Sequence, residues 1–277
     1  MKIILSRKGF DQANGGCASP IMPDGTLLSM PIPSAKSGVR YNDLRYGALT
    51  YEDIWKQLKP KRKVFSVYCH LDPDIRVCAH TNLPNDWKPI FGQMGAAQTH
   101  LYNQHVTEGD LFLFFGWFRQ THWDEKTEML RYVTMAPNQH ILYGYLQVGE
   151  VVTGDDVQKY PWHPHADSLH IGKKQNTMYL PTPYLCINGR KTELPGAGTF
   201  KFSKELVLTK EGMSRGKWDL PVCFQNVSIS CHNKNSFKDG YFQSAPIGQE
   251  FVVEDKPEIS DWALHLVEDN AEPYNIM

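Results

Sequence analysis

The chain has no Cys-x-x-Cys pair, no glycine-rich phosphate loop ending in Lys-Ser or Lys-Thr, and no G-x-G-x-x-G fingerprint. No Ser/His/Asp order of a known hydrolase is present either, so the common cofactor and nucleophile routes have no support. Long apolar runs are missing too. Nothing approaches the ~20 residues that span a bilayer, and Ile3-Ile4-Leu5 is far shorter than the apolar core of a signal peptide. A cytoplasmic protein outside the membrane is therefore expected. Charge of one sign is not in excess, because the formal net charge is -1. That argues against nonspecific coating of nucleic acid, which rests on many phosphate-neutralising cations. A local basic patch or a small nucleotide ligand stays compatible. No internal repeat or low-complexity linker interrupts the chain.

What is present suits a folded protein: 277 residues, 41% hydrophobic and 21% charged. The six cysteines are scattered, and Cys69 and Cys78 have no recognised metal spacing. Reduced, mostly buried thiols are the expectation. The length permits one large domain or two. Without a linker, a single elaborated domain over 1–277 is expected, with a core at about 60–190.

The stretch Glu108–Arg119, EGDLFLFFGWFR, organises the rest. A Gly-Asp turn leads into a run that is apolar at nearly every position, which predicts a strand buried on both faces. Gly116 within it marks a bulge or a close backbone approach. Upstream, Gly95–Tyr102 reads as a short helix; downstream, His140–Val152 reads as a second strand or a bent pair. Lys2–Ser6 predicts a first strand, and Pro23-Asp24-Gly25 predicts the turn of a hairpin between Ile21-Met22 and Leu27–Ile32. Thr50 with Asp53 makes an approximate capping box for a short helix. Val64–Cys69, Met129–Met135, two segments in Asn176–Ile187, Phe200–Phe202 and Leu206–Leu208 read as further strands, and Ile259–Val267 as a last helix. The fold class expected is α+β, mainly β: a small β-barrel with a few short helices.

The polar candidates cluster after strands. Arg7, Lys8 and Asp11 follow the first strand and precede Asn14-Gly15-Gly16, an arrangement that presents charge at a pocket mouth; a charged surface loop is the alternative. His70, Asp72 and Asp74 follow Val64–Cys69. Two carboxylates two residues apart suit acid/base chemistry or a cation, and equally an Asx-turn beside Pro73. Gln93 and Gln98 can read a base edge. Arg215, Lys217 and Trp218 can grip a nucleotide through charge and stacking. His163 and His165 would share one face of an extended segment and so could meet one metal, but no further ligands stand at a recognised spacing; a polar loop over a pocket is preferred, and no metal is assigned. Lys59–Lys63 reads as a solvated basic turn.

Gly95–Val152, with its helix before Glu108-Gly109-Asp110, its aromatic strand and Gly144-Tyr145-Leu146-Gln147-Val148-Gly149, resembles the PUA-like superfamily of ASCH, EVE and YTH domains. The resemblance implies a barrel that holds an RNA or DNA base in an aromatic pocket, with Trp87, Trp117, Phe118 and Trp123 as wall candidates. The whole chain also resembles the third type of nucleotide modification associated domain, found in bacteria and their viruses. The likeness runs through Ser6–Asp11, Ser19-Pro20-Ile21, Asp72-Pro73-Asp74-Ile75, Gly92–Gln98 and Gly248–Val252. It implies a role near nucleic-acid base modification and supplies no reaction.

Three readings follow. The first is an enzyme acting on a nucleotide or modified base, with Asp11, Asp72 and Asp74 as catalytic carboxylates and Arg7, Lys8, Gln93, Gln98, Trp117 and Arg215 holding substrate. The second is a binding module for a modified base or nucleotide, free or in DNA or RNA. The third is a structural or interaction protein. The first two separate on whether Asp11 meets Asp72 or Asp74 in one cleft, their carboxylates within roughly 8 Å or bridged by a metal; the third predicts an exposed apolar patch and no deep polar pocket.

Overall fold

The structure, a computed structural model, describes residues 1–35, 39–167, 170, 175–225 and 227–272. Its centre is a nine-stranded sheet. In chain order its strands are Ile3–Arg7 (β1), Ser19–Ile21 (β2), Phe91–Gln93 (β3), Leu111–Trp123 (β4), Leu130–Tyr132 (β5), Gln139–Thr153 (β6), Thr177–Pro181 (β7), Ala197–Thr199 (β8) and Glu250–Val253 (β9). The main path runs β9-β1-β4-β6-β7-β3, with β2 and β5 on β4 and β8 on β6. The sheet curls into a half-barrel, and the fold is α+β, mainly β, as expected.

β4 is the spine. Leu111 to Phe115 and Phe118 are fully buried, and each such side chain contributes ~1.5–3 kcal/mol relative to exposure. β1 lies parallel to it, Ile3 beside Leu111 and Arg7 beside Phe115; β1 stops there while β4 runs on to Trp123. β6 runs antiparallel, with a register shift between Leu142 and Gly144. A Cβ on Gly116 would stand 2.9 Å from the Lys8 carbonyl oxygen, so this glycine permits the close backbone approach its sequence position implied.

Three α-helices flank the sheet: Tyr51–Leu58 (α1), Gly95–Asn103 (α2) and Pro257–Asn270 (α3). The capping box of α1 is present: the Asp53 N–H donates to Thr50 Oγ1 at 3.1 Å, and the Thr50 N–H donates to Asp53 Oδ2 at 3.0 Å. Around α1 sits a second apolar cluster, where Phe10 and Tyr41 pack tilted against Trp55 with ring centroids 4.9 and 5.0 Å away. No helix among the described residues is long and apolar enough to cross a membrane.

Some expectations change. The hairpin after Ser19 shrinks to a single bridge, Ile21 with Leu27, because β2 pairs in parallel with β4 instead. Val64 and Val67 are exposed, and only Tyr68–His70 forms a strand, on Ile32–Ser34 and Val39–Arg40. Lys204–Leu206 is one 3-10 turn, followed by a lone bridge from Val207 to Ile141. The six cysteines are all free, but only Cys17 and Cys69 are buried; Cys78, Cys186 and Cys231 are exposed.

Candidate functional site

Arg7 is the last residue of β1, and Trp117 lies on β4 just past Phe115, the partner of Arg7; beside them a cleft of about 1070 Å³ opens. Its lining includes Arg7, Lys8, Asp11, Trp117 and Arg215 from one direction and His70, Asp72, Gln93 and His165 from the other. Asp11 and Asp72 therefore face one hollow although they lie on separate loops.

The cationic wall is built from backbone constraints. Arg7 leaves β1 half-buried, and its two Nη groups donate to the Ala245 and Pro246 carbonyls at 2.6 and 2.9 Å. Its buried Nε has no partner. Arg215 lies over the Trp117 ring, Cζ 4.2 Å from the centroid. Burial, then the other guanidinium, pushes the Arg7 pKa down, and burial does the same for Arg215; both remain charged. Among the described residues, neither has a carboxylate oxygen within 4.0 Å. Asp11 acts on both only at longer range. Its carboxylate accepts from the Asn14 backbone and side chain at 2.6 to 3.2 Å, an Asx-turn that orders the loop. Lys59 and Arg62 donate to the Gly16 and Gly15 carbonyls, so part of the basic run staples this turn.

Lys8 and Gln93 line the cleft but are engaged with a buried acid. Lys8 Nζ lies 2.7 Å from Glu250 Oε1, and Gln93 Nε2 donates to the same oxygen at 2.6 Å. Glu250 Oε2 is buried with no hydrogen-bond partner. Sequence reasoning missed Glu250; the signal was an acid heading the apolar run Phe251-Val252-Val253.

The opposite wall centres on Asp72. Its Oδ1 accepts the Gly92 N–H at 2.7 Å. His163 Nε2 lies 3.5 Å from Oδ1, while His70 Nε2 and His165 Nε2 each lie 3.8 Å from Oδ2. Among the described residues no Lys or Arg nitrogen comes within 4.0 Å of this carboxylate. One ligand atom from each of His70, Asp72 and His165 lies within 4.8 Å of the others, so these three can hold a metal ion. Burial pushes the His70 imidazole down to about 4 and the His165 imidazole down to about 3. Burial alone would push the Asp72 carboxyl up; the surrounding imidazoles reverse that and hold it well below the usual carboxylate range. At neutral pH the cluster thus sets neutral His70 and His165 rings around a buried anion.

Long-range pairing assembles this wall. β7 pairs with β3, Thr177 opposite Gln93 and Met178 opposite Gly92, which brings Asn176 to the end of β3. Asn176 Nδ2 donates to the His165 carbonyl at 2.8 Å, so its Oδ1, 2.6 Å from His165 Nδ1, must accept. His163 and His165 do face one carboxylate, from a 3-10 turn at Pro164–Ala166 and not from an extended segment. Of the neighbouring stretch, residues 168–169 and 171–174 lie outside the described residues.

Other candidates lie elsewhere. Asp74 points away from the cleft and is a structural acid: its oxygens pair with His80 Nε2 at 2.8 Å and Trp87 Nε1 at 2.9 Å. Gln98 is buried in the core and accepts from the Tyr179 hydroxyl at 3.0 Å. Of the aromatic wall candidates, Trp117 lines the cleft, Trp87 serves Asp74, Phe118 is core, and Trp123 is exposed. Trp218 is core as well, with its indole N–H on His140 Nδ1 at 3.0 Å.

No curated protein and no solved structure matches the chain. One family model does, over residues 2–254, nearly the whole described length. The chain belongs to the nucleotide modification associated domain 3 family.

Proposed function

We propose that the cleft binds a nucleotide, free or within DNA or RNA, and that the Asp72 wall carries out chemistry on it. The supporting observation is the pair Arg7 and Arg215, two guanidiniums with no carboxylate within 4.0 Å among the described residues, facing a hollow of about 1070 Å³. Uncompensated guanidiniums at a pocket mouth suit phosphate, which they can grip with paired N–H donors. The guanidinium plane of Arg215, backed by Trp117 at the cleft, offers a surface on which a base can stack. The hollow is at the upper end of the range for small-ligand sites, enough for a nucleotide with part of its chain.

In this reading Asp72 is the chemical carboxylate, Arg7 and Arg215 hold phosphate, and Lys8 and Gln93 line the cleft with them, both held by the buried Glu250. Asp11 orders the loop that shapes the mouth. A binding module without chemistry would have no use for the buried carboxylate and its ring of imidazoles. The test is to incubate the full chain with nucleosides, nucleotides and base-modified oligonucleotides and read products by mass. The expected result is one converted class, lost in Asp72→Asn and kept in Asp74→Asn. Tight binding with no product from any class, and affinity unchanged in Asp72→Asn, would leave the protein a binder.

A further inference from the structure

We propose that His70, Asp72 and His165 bind a divalent first-row transition ion on the wall of the cleft. Two imidazoles and one carboxylate with open positions form a recurrent donor set for iron, manganese, cobalt and zinc; calcium and magnesium prefer all-oxygen shells.

The argument rests on which atoms face each other. Asn176 fixes the proton of His165 on Nδ1, because the Asn176 amide is itself oriented by its bond to the His165 carbonyl. His165 Nε2 then carries a lone pair, and it points to within 3.8 Å of Asp72 Oδ2. His70 Nε2 approaches the same oxygen at 3.8 Å. Two acceptors 3.8 Å apart, buried and with no proton between them, repel unless something electropositive lies between. Ligand atoms ~2.1 Å from one ion can be up to ~4.2 Å apart, so these separations suit an ion.

The surroundings match a metal shell. The Asn176 contact is the outer hydrogen bond that orients a ligating imidazole, and the Gly92 N–H plays that part for Asp72. Asp72 is buried with no Lys or Arg nitrogen within 4.0 Å among the described residues, and a buried carboxylate without a full counter-charge costs several kcal/mol. Lys8, the cation that acts on His70, is paired with Glu250. His70, Asp72 and His165 all line the cleft, so the open positions of the ion face whatever enters it. The ion site stands on this geometry alone; that its open positions meet a nucleotide rests on the proposed function.

The test uses chelator-stripped full-length protein titrated separately with Zn²⁺, Mn²⁺, Co²⁺ and anaerobic Fe²⁺, by calorimetry and metal analysis. The expected result is one ion per chain. Affinity falls more than tenfold in His70→Ala and His165→Ala, and about 10- to 100-fold in Asn176→Ala. His70 is the partly exposed member, so its variant guards against a folding failure, checked by circular dichroism. His100→Ala, which alters the exposed His100 and Cys231 pair, leaves binding unchanged. Arg215→Ala also keeps the ion, which separates this site from the nucleotide reading. No ion below millimolar concentration, or binding that survives His70→Ala and His165→Ala, overturns the proposal.

Discussion

Gly92 lies against the ring of His165 so closely that a Cβ on it would stand 2.3 Å from His165 Cδ2. The same residue donates its N–H to Asp72 Oδ1 at 2.7 Å. One backbone position therefore seats both sides of the buried cluster. Gly92→Ala is expected to displace the ring, lower stability by ~1–3 kcal/mol as overpacking does, and weaken ion binding more than tenfold. Thermal unfolding and metal titration of the variant check both.

Asp72 and Asp74, two residues apart, do different work. Asp74 is buried and bonded to His80 and Trp87. Asp74→Ala leaves the half-buried His80 and Trp87 without their acceptor and should cost ~1–3 kcal/mol, since hydrogen bonds to a charged group are lost. Asp72→Asn should cost less stability and abolish ion binding. Chemical denaturation and calorimetry on the two variants distinguish the roles.

His140 supplies a pH signature. Burial, then Arg7 and Arg215, holds its imidazole down to about 3, against 6.5 for a free imidazole. Its Nδ1 accepts from the Trp218 indole, which requires the neutral ring. Between those two values the unfolded chain carries the extra proton. This contribution is thus complete above about pH 6.5 and is lost progressively as pH falls toward 3, amounting to a few kcal/mol. His140→Gln, which does not titrate, should show a shallower loss of stability across that window in denaturant melts at stepped pH. An unchanged slope would contradict the assignment.

The helix cap gives a local control. Thr50→Ala removes the side chain that accepts the Asp53 N–H and should lower stability by about 1 kcal/mol with ligand binding intact. Denaturant melts beside a nucleotide titration check this.

Strands with strong local signals were legible in the sequence. β1, β4 and β6 follow from apolar runs, α1 from its capping box, and the close approach at Gly116 from glycine inside a buried strand. Of the strand-end charges, Arg7, Lys8, Asp11, His70 and Asp72 line one cleft, and Asp74 does not. The proposed ion site is half visible in the sequence, where His163 and His165 stand as a pair with no further ligands at a recognised spacing. His70 and Asp72 meet His165 only through tertiary contacts, the Gly92 N–H on Asp72 and Asn176 on His165, which no local spacing encodes. The diversion of Asp74 was illegible for the same reason, since its partner Trp87 is a tertiary contact. Short strands such as Ala197–Thr199 carry no period of their own and exist only because β6 offers an edge.

The central claim is that Arg7 and Arg215 make this cleft a phosphate-reading nucleotide site. Calorimetric titration with a nucleoside 5′-monophosphate and its parent nucleoside, on the native chain and on Arg215→Ala, tests it most directly. The account predicts that the monophosphate binds at least ~10-fold more tightly to the native chain, the gain expected of a charge-assisted contact, and that most of this gain disappears in Arg215→Ala. Equal affinities on the native chain, or a phosphate preference undiminished in the variant, would contradict it.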